Sequence, residues 1–336
     1  MLHTIALILA IYLLFLSSQY VVSFVLPWHN KLLTLEKQYI KKTLFLFVLL
    51  ASIRVPAIAF HKPAPADTVN VSTVQEAIAY LNTIGNLDSS AMWPNIDPAL
   101  LLQNLNTSIR GPLKSFEGKN TNFCSYTALS YIPIRYDPLG FSRFIIDLYK
   151  NGKAKMGKSL IEPGSKVRNA AGTLLYKGDL DINHLAQMWF LSLADHFKGY
   201  LNLFNSSYNA GDENRLWAAT NFAKFNRMVR RLFAYKVKAR GSDLVRPHFD
   251  DIYSELQSRL QKGTVFLYLN NRMLYKKNHE TSRFGIPTHY VVLTDIIQDG
   301  NTLTIIYWDA GRKTLQQVTP QFLKKIVYGA TFCSNP

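Results

Sequence analysis

The N-terminal part of the chain contains two apolar runs separated by a short basic stretch. Residues 4–28 carry no charged side chain, and about 20 apolar residues are enough to span a bilayer. The second run, residues 43–60, follows a connector with four lysines and is interrupted by Arg54 and Pro56. Because the first run has no polar face, a buried helix of a soluble core explains it poorly. The pattern predicts export or membrane insertion.

Two interpretations fit this N-terminal region. In the first, translation begins near Leu35, and residues 35–59 form a signal peptide with Lys41-Lys42 as its basic start and Ala57-Ile58-Ala59 as its cleavage site. In the second, both apolar runs form a membrane hairpin whose basic connector stays in the cytoplasm. Both place the rest of the chain outside the cytoplasm. They differ in whether it remains attached to the membrane.

The pattern changes its period along the remainder of the chain. Helical spacing dominates first, and Ser72 is the predicted N-cap of the first helix. After Gly263, alternation predicts strands, with Asp299-Gly300 as a two-residue hairpin turn. A helix-rich part followed by a strand-rich part is typical of the α+β class. The predicted helices are 72–84, 100–105, 124–131, 137–149, 181–197, 212–233 and 249–260, and the predicted strands are 264–270, 288–297, 302–308 and 315–318.

Composition supports a folded, strongly basic domain. The chain is 48% hydrophobic and 13% aromatic, which argues against disorder. It has 38 Lys and Arg against 22 Asp and Glu, a net charge of +16 that favours anionic partners. The basic stretch at residues 227–240 is either a solvated face or a contact for an anionic polymer. Because no basic motif carries interleaved stacking aromatics, nucleic acid is not an expected partner.

Two cysteines carry the candidate chemistry, Cys124 and Cys333. In an exported chain they could form one disulfide. Cys124, however, follows a polar loop and precedes a helical run. The positive end of a helix dipole stabilises thiolate, the reactive form of the side chain. Cys124 is therefore a candidate nucleophile, with a disulfide to Cys333 and an inert core thiol as the alternatives.

A base for this thiol is predicted at the hairpin of residues 289–309. His289 begins one strand, and Asp309 ends the strand that returns after the turn. In an antiparallel hairpin these two positions lie side by side, so that Asp309 can orient the imidazole and stabilise its charge. The alternatives are a histidine packed on one face of the strand and a carboxylate that caps its own turn.

The order of these residues resembles that of papain-like cysteine hydrolases. A cysteine at a loop-to-helix turn is followed by a histidine at a strand start and an aspartate after a hairpin. The segments 289–295 and 308–311 are similar to the branch that includes bacteriocin-leader peptidases. The resemblance implies Cys124 as nucleophile, His289 as general base and Asp309 as the residue that orients it.

The resemblance covers three short patches within residues 118–311 and departs from the family beside the cysteine. The family usually has a glutamine a few residues earlier, which donates to the oxyanion, whereas Gly118 stands in this loop. The nearest amides are Asn120 and Asn122, either of which could donate together with the Cys124 backbone N–H. The Cys-Gly-Ser-Cys-Trp type of signature is also missing.

The apolar N-terminus and the resemblance together predict a domain organisation and a function. Residues 1–59 would be the export region, 60–117 a linker with a small helical segment, and 118–336 a papain-like catalytic domain with a helical insertion at about 165–262. The function would be that of an exported cysteine hydrolase that acts on a peptide or amide, such as a cell-wall peptide or a target-cell protein, without a cofactor.

The remaining histidines lack the spacing of metal ligands, so no metal site is expected. The alternative function is an inactive fold that binds a cell-envelope polymer or a partner protein, with Cys124 and Cys333 joined as a structural disulfide.

Overall fold

The computed structural model describes residues 72–111, 121–174, 182–203, 205–270, 274, 287 and 289–334. All of them belong to one compact unit, Pro65–Pro336. The predictions for the apolar runs and the cleavage site concern residues outside this set, as do residues 60–71 and 112–117 of the predicted linker segment. Within the described residues, no helix has the length and apolar character needed to cross a membrane.

The helices of the described residues come mostly before the large sheet. They are α1 Val74–Ile84, α2 Pro98–Arg110, α3 Cys124–Tyr136, α4 Pro138–Asn151, α5 Ser165–Ala170, α6 His184–His196, α7 Phe222–Leu232, α8 Ile252–Leu260 and α9 Pro320–Ile326, with short 3-10 turns at Tyr200–Asn202 and Asp212–Asn214.

The strands form a small hairpin and a six-stranded sheet in which every neighbouring pair is antiparallel. The order in the large sheet is β3-β8-β4-β5-β6-β7. The predicted α+β class is confirmed. The strands are β1 Ala154–Met156, β2 Ser159–Ile161, β3 Val237–Gly241, β4 Gly263–Leu269, β5 His289–Asp299, β6 Thr302–Asp309, β7 Arg312–Val318 and β8 Val327–Ser334.

Local capping explains where the first helix begins. Thr73 and Glu76 form a reciprocal capping box, in which each side chain bonds the backbone N–H of the other residue. The predicted N-cap, Ser72, is therefore wrong by one residue. Its hydroxyl instead donates to Asp137 Oδ1 at 2.6 Å, which ties the start of α1 to the residue that caps α4.

Several elements depart from the sequence predictions. The predicted helix at 212–233 is a 3-10 turn followed by the shorter α7. The predicted helical insertion contains β3, which joins the large sheet as an edge strand with four of its five residues exposed. Lysine and arginine on such an edge discourage pairing with other chains. Strand β8 was not predicted, although it lies between β3 and β4.

The two faces of the large sheet pack against different helices. We call one the aromatic face, which packs against α3 and α7; its core residues are Phe266, Tyr268, Tyr290, Val292 and Trp308. We call the other the aliphatic face, which packs against α8 and α9; its core residues are Val265, Leu267, Leu269, Val291, Leu293, Leu303, Ile305 and Tyr307. Residues of the two faces alternate along the same strands, because successive side chains of a pleated strand point to opposite sides of the sheet.

Candidate functional site

The hairpin of β5 and β6 positions the predicted histidine and aspartate. Asp299 pairs with Thr302, so the two loop residues are Gly300 and Asn301, one position later than predicted. Gly300 has a φ of +55°, a conformation that glycine adopts without strain. The register shifts once, between Leu293 and Asp295, before the strands reach the His289 end.

His289 and Asp309 contact each other at the end of this hairpin. Nε2 of His289 hydrogen-bonds Oδ1 of Asp309, and only 11% and 13% of the two side chains is exposed. The structure thus brings these side chains together, as the hairpin arrangement predicts. An aspartate in this position fixes the ring orientation and stabilises a positive charge on the imidazole.

Cys124 is the first residue of α3 and is half-buried. The N-cap position is Phe123, which makes no side-chain cap hydrogen bond. The first N–H groups of a helix point outward along its axis and, with the helix dipole, favour negative charge. The thiol therefore lies at the positive end of a 13-residue helix, where a thiolate is stabilised.

The helix that begins with Cys124 packs against the strand that begins with His289. Contacts join α3 to β5, and the Tyr131 and Trp308 rings lie 5.8 Å apart. Burial is the main cause that raises the pKa of Tyr290, and the nearby charge of Cys124 adds to it. The thiol therefore lies within electrostatic range of the Tyr290 hydroxyl, and Tyr290 directly follows His289.

His289 and Tyr290 lie on opposite faces of the sheet, because side chains alternate along β5. Tyr290 belongs to the aromatic face, toward α3, whereas His289 is in register with Leu269 of the aliphatic face. Successive side chains of a strand point to opposite faces. His289 is also the first residue of β5. A contact between its imidazole and the Cys124 thiol would therefore have to pass around the end of the strand.

The second cysteine lies in the core. Cys333 is in β8, in register with Val237 on one side and Thr264 on the other, and only 2% of it is exposed. Burial raises the pKa of its thiol to about 12. Both cysteines are free, so the alternative of a disulfide is wrong. Strand pairing on both sides of β8 holds this end of the chain instead.

The amide of Asn122 supports the loop before the nucleophile candidate. Its Nδ2 donates to the carbonyl of Arg215 at 2.9 Å, and its backbone N–H donates to the carbonyl of Glu213 at 2.8 Å. These bonds tie the loop to the 3-10 turn at Asp212–Asn214. They give Asn122 a structural role, and its amide has a second N–H, so its predicted oxyanion contact stays a prediction. Asn120 lies outside the described residues.

A buried lysine was missed by the sequence analysis. Lys224 is 2% exposed, and its Nζ donates to Tyr126 Oη at 2.9 Å, Ala219 O at 3.1 Å and Asn202 Oδ1 at 3.3 Å. Burial, followed by the charges of Lys198 and Arg227, lowers its pKa to about 7. Lys224 thereby holds Tyr126, which follows Cys124 by two residues on α3.

A stack of four aromatic rings lies on the aromatic face, against which α3 packs. Tyr268 and Tyr290 stack with centroids 4.3 Å apart, and Phe225 covers the other side of Tyr290, also at 4.3 Å. Phe222 continues the stack on Tyr268 at 6.0 Å. The sequence contains these rings but gives no sign of their order, because they come from α7, β4 and β5.

Comparison with protein-family models, with curated proteins and with solved structures gave no match. Within the described residues, no three His, Cys, Asp or Glu side chains are grouped so that they could hold a metal ion.

Proposed function

We propose that this protein is a cysteine hydrolase, a peptidase or amidase, in which Cys124, His289 and Asp309 act together. One observation carries the proposal: a buried histidine–carboxylate pair lies at the end of the strand that packs against the helix of Cys124. The resemblance of the chain order to papain-like hydrolases agrees with it.

Each residue has a chemical role in this proposal. With Nε2 of His289 bonded to Asp309, Nδ1 is the nitrogen that accepts the Cys124 proton. The helix terminus and the imidazolium stabilise the thiolate, which attacks the substrate carbonyl carbon. The imidazolium then protonates the leaving amine, and a thioester remains on Cys124. Water activated by His289 hydrolyses this thioester and restores the thiol.

The expected substrate is a peptide or another amide outside the cytoplasm, such as a cell-wall peptide or a target-cell protein. The apolar N-terminal runs support export, and they would attach the domain to the membrane if they are not cleaved. The competing proposal, an inactive binding fold stapled by Cys124 and Cys333, loses its staple because both thiols are free.

The test is the pH dependence of iodoacetamide alkylation at Cys124, resolved by peptide mass spectrometry in the full chain. We expect Cys124 to be alkylated rapidly already at a pH of about 6–7, because the proposed Cys–His pair supplies the reactive thiolate. In His289→Ala this reaction at low pH should be lost. Cys333 is an internal reference that should react slowly, since it is buried.

His248→Ala is the matched control. His248 also contacts an aspartate, with Nε2 2.9 Å from Asp250 Oδ1, but both side chains are largely exposed. This variant should leave the Cys124 profile unchanged. An ordinary thiol profile for Cys124 in the unmodified protein, or one that His289→Ala does not shift, would contradict the proposed function.

A further inference from the structure

Acyl transfer at Cys124 requires groups that stabilise a negatively charged oxygen. When a thiolate attacks a carbonyl, the electron pair of the C=O bond moves onto oxygen, and preorganised donors aimed at this oxyanion give a large part of the rate. The backbone N–H of Cys124, at the start of α3, can supply one donor. The Asn122 amide uses one of its two N–H groups to hold Arg215, and a further donor comes from the aromatic face.

The hydroxyl of Tyr290 is a polar group kept without a partner. Only 3% of the residue is exposed, and its Oη has no hydrogen-bond partner within the described part of the chain. Nearly all buried polar atoms in folded proteins are hydrogen-bonded, and an exception calls for an explanation such as a catalytic role. A carbonyl oxygen of a bound substrate would provide the missing acceptor.

The ring of Tyr290 is held in a fixed orientation. Tyr268 stacks on one side with an interplanar angle of 11°, and Phe225 on the other with an angle of 19°. A side chain clamped between two rings cannot swing its hydroxyl to a new partner without breaking the stack. The donor is therefore preorganised, as an oxyanion donor must be.

The position of Tyr290 connects it to the other residues of the proposed site. It directly follows His289 in β5 and points to the aromatic face, against which α3 packs. It is also close enough to Cys124 for the two groups to interact electrostatically. The Tyr290 hydroxyl and the helix that begins with Cys124 thus lie on the same face of the sheet.

We propose that Tyr290 is a catalytic residue that donates its O–H to the oxyanion formed when Cys124 attacks a substrate carbonyl. The inference rests on the proposed hydrolase function. The new bond joins Sγ to the carbonyl carbon, and the oxygen that gains the electron pair accepts hydrogen bonds from Tyr290 Oη and the Cys124 N–H. When the C=O bond re-forms, the bond to the leaving amine breaks and His289 supplies its proton. Tyr290 keeps its own proton throughout, since burial raises the pKa of its hydroxyl.

Two reagents separate this role from thiol activation. Iodoacetamide alkylates Cys124 by direct displacement without an oxyanion, whereas p-nitrophenyl acetate acylates it through a tetrahedral oxyanion. In Tyr290→Phe, which retains the ring stack, the alkylation rate should stay within about twofold. The acylation rate should fall at least about tenfold, toward the 10²–10³-fold loss typical of removing one oxyanion donor.

Tyr268→Phe is the matched control, since it removes a hydroxyl from the neighbouring ring of the same stack. Tyr268 Oη already has an acceptor, the Pro287 carbonyl at 3.5 Å. Its ratio of acylation to alkylation should stay within about threefold of the unmodified protein. A ratio that is unchanged in Tyr290→Phe, or reduced equally in both variants, would overturn the assignment.

Failure of the proposed hydrolase function and failure of the Tyr290 role alone would give different sets of rates. If Cys124 of the unmodified protein is alkylated as an ordinary thiol, and His289→Ala changes neither rate, the hydrolase proposal is wrong and the donor role is overturned with it. If His289→Ala slows both reactions while Tyr290→Phe slows neither, the Cys–His pair stands and only the role of Tyr290 is wrong.

Discussion

The two faces of the large sheet are built from the same strands but from different chemistry. On the aliphatic face, Leu267, Leu269 and Val291 pack against α8 and α9. On the aromatic face, Tyr268 and Tyr290 lie one position away from these residues along the same strands. The aliphatic face contributes burial, whereas the aromatic face surrounds polar groups near Cys124.

This difference shows how one sheet can serve both stability and chemistry. Apolar burial is non-directional and depends on area and fit. Buried polar groups need specific partners, such as the three acceptors of Lys224 or the bond between Thr331 and Asn226. Changes to the buried leucines and valines of the aliphatic face should therefore act on stability alone, and changes on the aromatic face should also alter pH dependence or reactivity.

The largest expected effect on stability comes from the aliphatic face. Leu267 is fully buried, so Leu267→Ala should lower the free energy of unfolding by about 2–5 kcal/mol, through lost burial and the cavity that remains. Urea unfolding measures this change, and Leu315→Ala, at a leucine 59% exposed on β7, is the control. If alkylation of Cys124 also slows while Leu267→Ala remains folded, the two faces are not independent.

The next effect is a pH dependence that originates from Lys224. Its pKa falls from 10.5 to about 7 on folding, so between these values the unfolded state binds a proton that the folded state does not. Stability should therefore rise with pH from 7 toward 10, by up to about 1.4 kcal/mol per pH unit. Urea unfolding at pH 7.5 and 9.5 tests this rise.

Two variants test whether Lys224 is the source of this rise in stability with pH. Lys224→Met should remove the rise, because the side chain no longer titrates. Lys325→Met, at an exposed lysine on α9, removes the same charge and should keep the rise. Equal pH dependence in the unmodified protein and Lys224→Met would show that the buried lysine is not its source.

A smaller loss of stability is expected from Thr331 on the aromatic face. Thr331 is fully buried and donates from Oγ1 to Asn226 Oδ1 at 2.8 Å, which joins β8 to α7. Thr331→Val retains the shape of the side chain but leaves the Asn226 oxygen without this donor. The free energy of unfolding should therefore fall by about 1–3 kcal/mol. Thr302→Val, at an exposed strand position, should change stability by less than about 0.5 kcal/mol. Equal effects of the two variants would argue against a polar contribution from this face.

The parts of the site that the sequence predicted are the local ones. His289 and Asp309 are joined by a tight turn, so an alternating pattern with a turn signal is enough to place them together, even though the turn lies one residue later. The helix start at Cys124 has a similarly local signal, a polar loop before an apolar run.

The parts that were missed depend on contacts between distant segments. The structural bond of the Asn122 amide goes to Arg215, 93 positions away, which no local pattern indicates. Lys224 lies in a helix with apolar neighbours, but its acceptors belong to three other segments. Strand β8 is buried on both faces between two strands, which removes the alternation that would identify it.

The smallest expected effect on stability distinguishes two hydroxyls on the aromatic face. Tyr290 Oη is buried without a partner in the described residues, so Tyr290→Phe removes an uncompensated polar group and should leave stability unchanged or raise it by up to about 1 kcal/mol. Tyr268→Phe loses the bond to Pro287 and should lower stability by about 0.5–1.5 kcal/mol. The midpoint of urea unfolding measures both changes in stability, provided that the slope of the free energy of unfolding against urea concentration stays the same. A loss above about 1 kcal/mol in Tyr290→Phe would mean that the fold already satisfies this hydroxyl. Stability retained together with slower acylation would mean that the aromatic face keeps an unpaired donor because catalysis uses it.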